Sequence, residues 1–201
     1  MLRLTIVVAA TKSNGIGFSS RLPWRLRKEI KYFAQVTTTA PSGQQNAVIM
    51  GRNTWESIPQ KFRPLPNRVN VVISRNLGYD LCEFAASVNE HDLKSALSQV
   101  ENLTSASSSS PIHRAFIIGG ASIYSEAIGL PTDVVDHILL TRIISPDFEE
   151  CDVFMPDFLS GKARWKRATH AALEEWVGFE VAEGVQEEDG VKYEFQMWVR
   201  D

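Results

Sequence analysis

Two patterns of apolar and polar positions alternate along the chain. Nearly continuous apolar runs fall at 4–10, 47–50, 69–73, 115–118 and 137–142. Runs without polar alternation suit central strands covered on both faces. Between the first two, Leu26, Ile30 and Phe33 fall at i, i+4 and i+7. That spacing predicts a helix with its start near Trp24 or Arg25, just after Pro23. Arg27, Lys28, Lys31 and Gln35 gather on its opposite, wet side. Residues 52–58 predict a short helix that Pro59 ends. A weaker apolar patch surrounds Phe84, and Ser87-x-x-Glu90 offers a capping box ahead of the helical repeat of Leu93, Ala96, Leu97 and Val100. Residues 123–128 predict one more helix. Residues 192–199 alternate, and Asp189-Gly190 before them is a hairpin turn signal. The predicted fold class is α/β: one domain over 1–201, with a central mixed, mostly parallel sheet flanked by helices and a C-terminal antiparallel hairpin.

Composition narrows the function classes. With 21 basic and 24 acidic residues the net charge is −3, so no broad basic surface for nucleic acid or anionic membrane is expected. Cys82 and Cys151 lie far apart and show no metal-ligand spacing, so free thiols and no metal site are expected. The first apolar run is too short for a membrane span and has no signal-peptide layout, from which a cytoplasmic location follows as the expectation. The serine-rich stretch 104–111 reads as a surface insertion without chemistry.

One carboxylate is out of place. Glu29 is i+3 from Leu26 and i−4 from Phe33, which sets it along the stripe facing the core. Burial resists ionisation, so its pKa is expected to rise, at about 1.4 kcal/mol per unit. Alternatively it is an acid under a loop, paired with an arginine. Three strand-to-helix turns lie elsewhere in the chain: Gly51-Arg52-Asn53-Thr54, Ser74-Arg75-Asn76 and Gly119-Gly120-Ala121-Ser122. The carboxyl ends of parallel strands open on one edge, where helix N-termini bind phosphate. Each turn alone could be a tightly packed connection. Together with Glu29 they point to a dinucleotide, and Arg52 with Arg75 to one carrying an extra phosphate, NADP before NAD. Arg68 could clamp a substrate carboxylate or be an edge-strand charge. The loop with Gly15 and Gly17 lacks the G-x-G-x-x-G layout; it suits a mobile flap or an ordinary surface loop.

At these residues the chain closely resembles the dihydrofolate reductase family, eukaryotic monofunctional type. The matches are Gly15-Ile16-Gly17, Leu22-Pro23-Trp24, Glu29 with Tyr32-Phe33, and Val48-Ile49-Met50-Gly51-Arg52-Asn53-Thr54-Trp55-Glu56-Ser57-Ile58-Pro59. Arg63-Pro64-Leu65 with Arg68, Ile73-Ser74-Arg75, Ile117-Ile118-Gly119-Gly120, Ile123-Tyr124 and Thr141-Arg142 follow in family order. The resemblance implies reduction of 7,8-dihydrofolate by hydride transfer from NADPH, with folate as a second candidate substrate. It also implies antifolates as ligands and a monomer independent of membrane and nucleic acid. Glu29 is similar to the acid that grips the pterin, with Trp24 and Thr141 as its supports. Val8, Ala9, Ile30, Phe33, Ser57, Ile58, Leu65, Ile118 and Tyr124 match substrate-pocket positions, and Arg68 matches the residue holding the glutamate tail. Ala9, Ile16, Gly17, Gly51, Arg52, Asn53, Thr54, Ser74, Arg75, Gly119, Gly120, Ala121, Ser122 and Ile123 match cofactor contacts. By the same likeness the Gly15–Gly17 loop closes over the nicotinamide. Two departures stand out: Arg25-Leu26 replaces prolines of vertebrate relatives, and Ile30 an aromatic. A reductase of pyrimidine intermediates gives no reason for Glu29 and Arg68 together, and a non-catalytic binding protein gives none for the intact acid.

Overall fold

The computed structural model describes residues 3–76, 78–79, 87–104, 110–131, 134–161 and 164–200. Its strands are β1 (Leu4–Thr11), β2 (Gly15–Gly17), β3 (Gln45–Gly51), β4 (Arg68–Ile73), β5 (Ser87–Glu90), β6 (Ile112–Ile117), β7 (Val135–Ser145), β8 (Val153–Phe154), β9 (Trp165–Arg167), β10 (Gln186–Glu188) and β11 (Val191–Arg200). The helices are α1 (Arg27–Thr38), α2 (Arg52–Ser57), α3 (Leu93–Leu103), α4 (Ala121–Gly129) and α5 (His170–Val177).

One mixed sheet runs in the order β10-β11-β7-β1-β6-β3-β4-β5, with β9 also paired to β11. Strands β7 through β5 are parallel to their neighbours, and β11 joins β7 and β10 antiparallel. The α/β expectation with its C-terminal hairpin agrees with this sheet. Asp189 and Gly190, both at positive φ, make the hairpin turn.

The apolar runs are continuous because both faces of the central strands are covered. Ile6, Ile49, Val71, Ile117 and Ile138 pack under α3 and α4, while Val7, Val48, Val72, Phe116 and Leu139 pack under α1, α2 and α5. Two of the buried polar side chains hold loops. Asn46 donates to the carbonyls of Thr37 and Thr39 and so fixes the end of α1. Asn70 accepts from Leu65 N and donates to Leu65 O and Arg68 O, which fixes the loop before β4.

Three expectations are corrected. α1 begins at Arg27, not at Trp24 or Arg25, because Leu26 is extended. Its buried face is Glu29, Tyr32, Val36 and Thr37, whereas Ile30 is half exposed. Ser87–Glu90 is β5, paired with β4, and the capping box is Asp92 with Ser95. Phe84, Cys82 and 105–109 lie outside the described residues. Cys151 is a buried free thiol. No helix among the described residues is long and apolar enough to cross a membrane.

Candidate active site

A cavity of about 1030 Å3 opens where β3, β4 and β6 end, and it crosses β1 at Val7, Val8 and Ala9. Three of its walls are the turns noted in the sequence. Gly51 leads β3 into α2, Ser74 and Arg75 follow β4, and Gly119-Gly120 lead β6 into α4. Neither Gly51 nor Gly120 places a side-chain cap on the helix it precedes, so first-turn N–H groups are open to an anion. The backbones here are close. Gly51 N donates to Gly119 O at 2.8 Å, and a Cβ on Gly119 would stand 2.8 Å from Thr54 Oγ1. Gly119 also has φ +133, where a side chain is strained. Gly119→Ala is therefore expected to cost about 1–3 kcal/mol of stability, read as a lower urea midpoint with unchanged slope.

The acid lines the same cavity from α1. Glu29 is 8% exposed and accepts a hydrogen bond of 3.2 Å from Thr141 Oγ1 on β7. Burial pushes its carboxyl up to about 7; the Thr141 bond opposes this and the negative charge of Glu188 adds to it. Glu29 is thus an acid that can hold or release a proton near neutral pH. β1, β6 and β3 separate β7 from β4. At the usual strand spacing this places Arg75 about 19 Å from the Glu29 side, long enough for two ligands side by side. Arg52 lies near Glu56, at 4.0 Å, and over the Tyr79 ring, with its guanidinium on the cavity rim.

Most of the residues named from the sequence share this cavity: Glu29, Val8, Ala9, Ile30, Phe33, Ser57, Ile58, Leu65, Ile118 and Tyr124, together with Ile16, Gly17 and the three turns through Ile123. Trp24, Thr141 and Arg68 do not line it. Thr141 reaches it through Glu29. Trp24 is buried edge-on against Phe148, and its Nε1 has no hydrogen-bond partner among the described residues. Arg68 is 6% exposed: Nε donates to Pro66 O at 2.9 Å, Nη1 to Thr37 Oγ1, and the guanidinium lies over Phe33. Burial lowers its pKa to about 10, so it stays a cation at neutral pH.

The loop with Gly15 is held from two sides. Arg142 Nη1 donates to Thr11 O and to Asn14 Oδ1, and β2 pairs with β8. Gly15 admits no side chain, since a Cβ would stand 2.7 Å from Cys151 Sγ. Ser19 N donates to Asp152 Oδ2 at 3.1 Å, which brings Ser19, Ser20, Arg21, Asp152 and Val153 to the rim. Sequence reasoning missed these, and also His91, Asp92 and Glu126. His91 follows Ser87–Glu90, a strand that reads as a capping box in the sequence, so it left no readable signal.

A family model described as dihydrofolate reductase matches residues 3–200. The dihydrofolate reductase of Cryptococcus neoformans var. neoformans is 46% identical over 223 residues, covering 98% of this chain and 94% of that protein. The dihydrofolate reductase of Pneumocystis carinii is 46% identical over 205 residues, covering 98% and 97%. The solved structure of Schistosoma mansoni dihydrofolate reductase superposes with a TM-score of 0.76 at 32% identity, covering 98% of each chain.

Proposed function

The chain belongs to the dihydrofolate reductase family, and from that premise we propose which of its residues perform the reduction of dihydrofolate to tetrahydrofolate. The reaction serves one-carbon metabolism and uses a nicotinamide cofactor. In our reading that cofactor is NADPH, which supplies the hydride when bound. What supports the choice is the donor set: Arg52, Arg75, Ser74 and the uncapped first-turn N–H groups of α4, all lining one cavity. Gly51, Asn53, Thr54, Gly119, Gly120, Ala121, Ser122 and Ile123 would hold its phosphates and sugars, and Ala9, Ile16 and Gly17 its nicotinamide.

Glu29 carries the reading. A carboxyl with a pKa near 7 can grip the amino group and ring nitrogen of a pterin and still hold a proton at the working pH. N5 must gain a proton as C6 gains hydride, and Glu29 raises the chance of that step through an intervening water. Thr141 aims the Glu29 oxygens, and Trp24 backs the loop before α1. Val8, Ile30, Phe33, Ser57, Ile58, Leu65, Ile118 and Tyr124 enclose the rings and exclude water, which strengthens the contact with Glu29. Arg68 meets the carboxylate of the substrate's glutamate tail. We read the protein as a cytoplasmic monomer acting on small molecules.

The test is loss of NADPH absorbance on adding dihydrofolate, repeated with folate and with NADH. Arg75→Ala is expected to raise the NADPH dissociation constant about 10–100-fold, the worth of a charge-assisted hydrogen bond, and to leave NADH binding unchanged. Fluorescence titration of the two cofactors reads this without turnover. Equal losses for both would remove the case for NADPH.

A further inference from the structure

Glu29 owes its position to a residue far away in the chain. α1 begins without a side-chain cap from its own neighbourhood, since Leu26 before it carries no hydrogen-bonding side chain. Its first two N–H groups belong to Arg27 and Lys28, and both donate to one carboxylate from elsewhere. Arg27 N donates to Glu188 Oε1, and Lys28 N to Glu188 Oε2 at 3.0 Å. Glu188 is 160 positions from Lys28 and closes β10, beside the Asp189-Gly190 turn. A carboxylate across two N–H groups is the partner that the positive end of a helix favours. Glu29 is the next residue after Lys28. Any shift of the hairpin is therefore handed to the residue that the substrate meets.

The groups packed around Glu29 make Glu188 electrically distinctive. Tyr32 on α1, Tyr124 on α4 and Tyr193 on β11 sense the charge of Glu29, and Thr141 on β7 bonds to it. Burial pushes all three tyrosine hydroxyls upward, so none is ionised near neutral pH. Arg27, Lys28 and Lys31 are exposed on the opposite side of α1. Among the described residues, the charge from outside its own helix that raises Glu29 is that of Glu188.

We propose that Glu188 is a positioning residue for the reduction: bonded to the first two N–H groups of α1, its carboxylate sets both the depth of Glu29 in the cavity and the field in which Glu29 holds its proton. The proposal rests on the reading of Glu29 given above, and it links the C-terminal hairpin to chemistry on the far side of α1.

The test is carboxyl 13C NMR of the full, ligand-free chain across the pH range, with the Glu29 signal assigned by its loss in Glu29→Gln. Glu188→Gln removes the charge and keeps an oxygen acceptor. The Glu29 midpoint is expected to move to lower pH by about half a unit, and the gap from wild type should close in about 1 M salt, where the Debye length is near 3 Å. Glu188→Asp keeps the charge but is shorter by one methylene, so the salt dependence of the Glu29 midpoint should hold while KM for dihydrofolate rises several-fold. Superimposable titrations of Glu188→Gln and wild type would overturn the electrostatic half, and an unchanged KM in Glu188→Asp the positional half. If Glu188→Gln does not fold, the Glu188→Asp pair of readings and the salt shift of the wild-type midpoint decide. Normal turnover in Glu29→Gln would instead sink the reading of Glu29, a result separate from either titration.

Discussion

Glu29→Gln should transfer hydride roughly 10²–10⁴ times more slowly at neutral pH while binding NADPH as before, the usual worth of a positioned acid or base. The amide keeps the shape and the Thr141 contact but cannot supply a proton. Single-turnover kinetics isolate this step, and a variant within a few-fold of wild type would remove Glu29 from the mechanism. The same substitution has a second readout in the ligand-free protein. The folded chain holds the Glu29 proton up to about pH 7, and the unfolded chain releases it near 4.5. Between those values unfolding releases a proton, so stability falls as pH rises. The stability present below pH 4.5 is lost by the time pH passes 7, a cost of about 3 kcal/mol. Glu29→Gln has no such proton to lose. Urea midpoints of the two proteins should therefore run parallel below pH 4.5 and separate between pH 4.5 and 7, the variant becoming relatively more stable.

The strands of the central sheet were legible because burial on both faces leaves a one-dimensional trace: apolar residues with no alternation, as in 47–50 and 115–118. The Asp189-Gly190 turn was legible because both central residues need positive φ. The start of α1 was not. Trp24 and Leu26 are apolar and helix-compatible, but the cap that begins the helix is Glu188, which no local pattern announces. α5 had ordinary local signals, Thr169 as cap and Gly178 in the left-handed region, and these were overlooked. β2, β8 and β10 are two or three residues long, too short for periodicity.

The acid itself was legible from helical spacing, and the correction concerns its company. Ile30, expected to share the buried stripe, is 50% exposed and faces the cavity, so one helix splits its apolar residues between core and ligand. Spacing tells which residues share a face. It does not tell whether that face meets protein or an open cleft. Rim residues such as Arg21, His91 and Asp152 come from loops and leave no periodic pattern; Asp152 is placed by a hydrogen bond from the distant Ser19 N.

Arg68→Met should separate substrate affinity from stability. The guanidinium is buried and positively charged, and among the described residues no carboxylate pairs with it; its partners are Pro66 O, Thr37 Oγ1 and the Phe33 ring. A buried cation without a counter-ion costs stability, and the depression of its pKa to about 10 is the signature of that cost. Methionine fills similar volume without the charge. Thr37 Oγ1 keeps a partner, because it also donates to Phe33 O at 2.7 Å. The ligand-free variant is therefore expected to be about 1 kcal/mol more stable than wild type. Binding should move the other way. Truncating one partner of a buried charge pair made only with substrate costs about 2–5 kcal/mol, so dihydrofolate should bind about 30-fold or more weakly. A dihydropterin without the glutamate tail has nothing for Arg68 to meet, and its affinity should not change. Equal losses for both ligands would mean that Arg68 shapes the loop at Leu65 and never touches the tail.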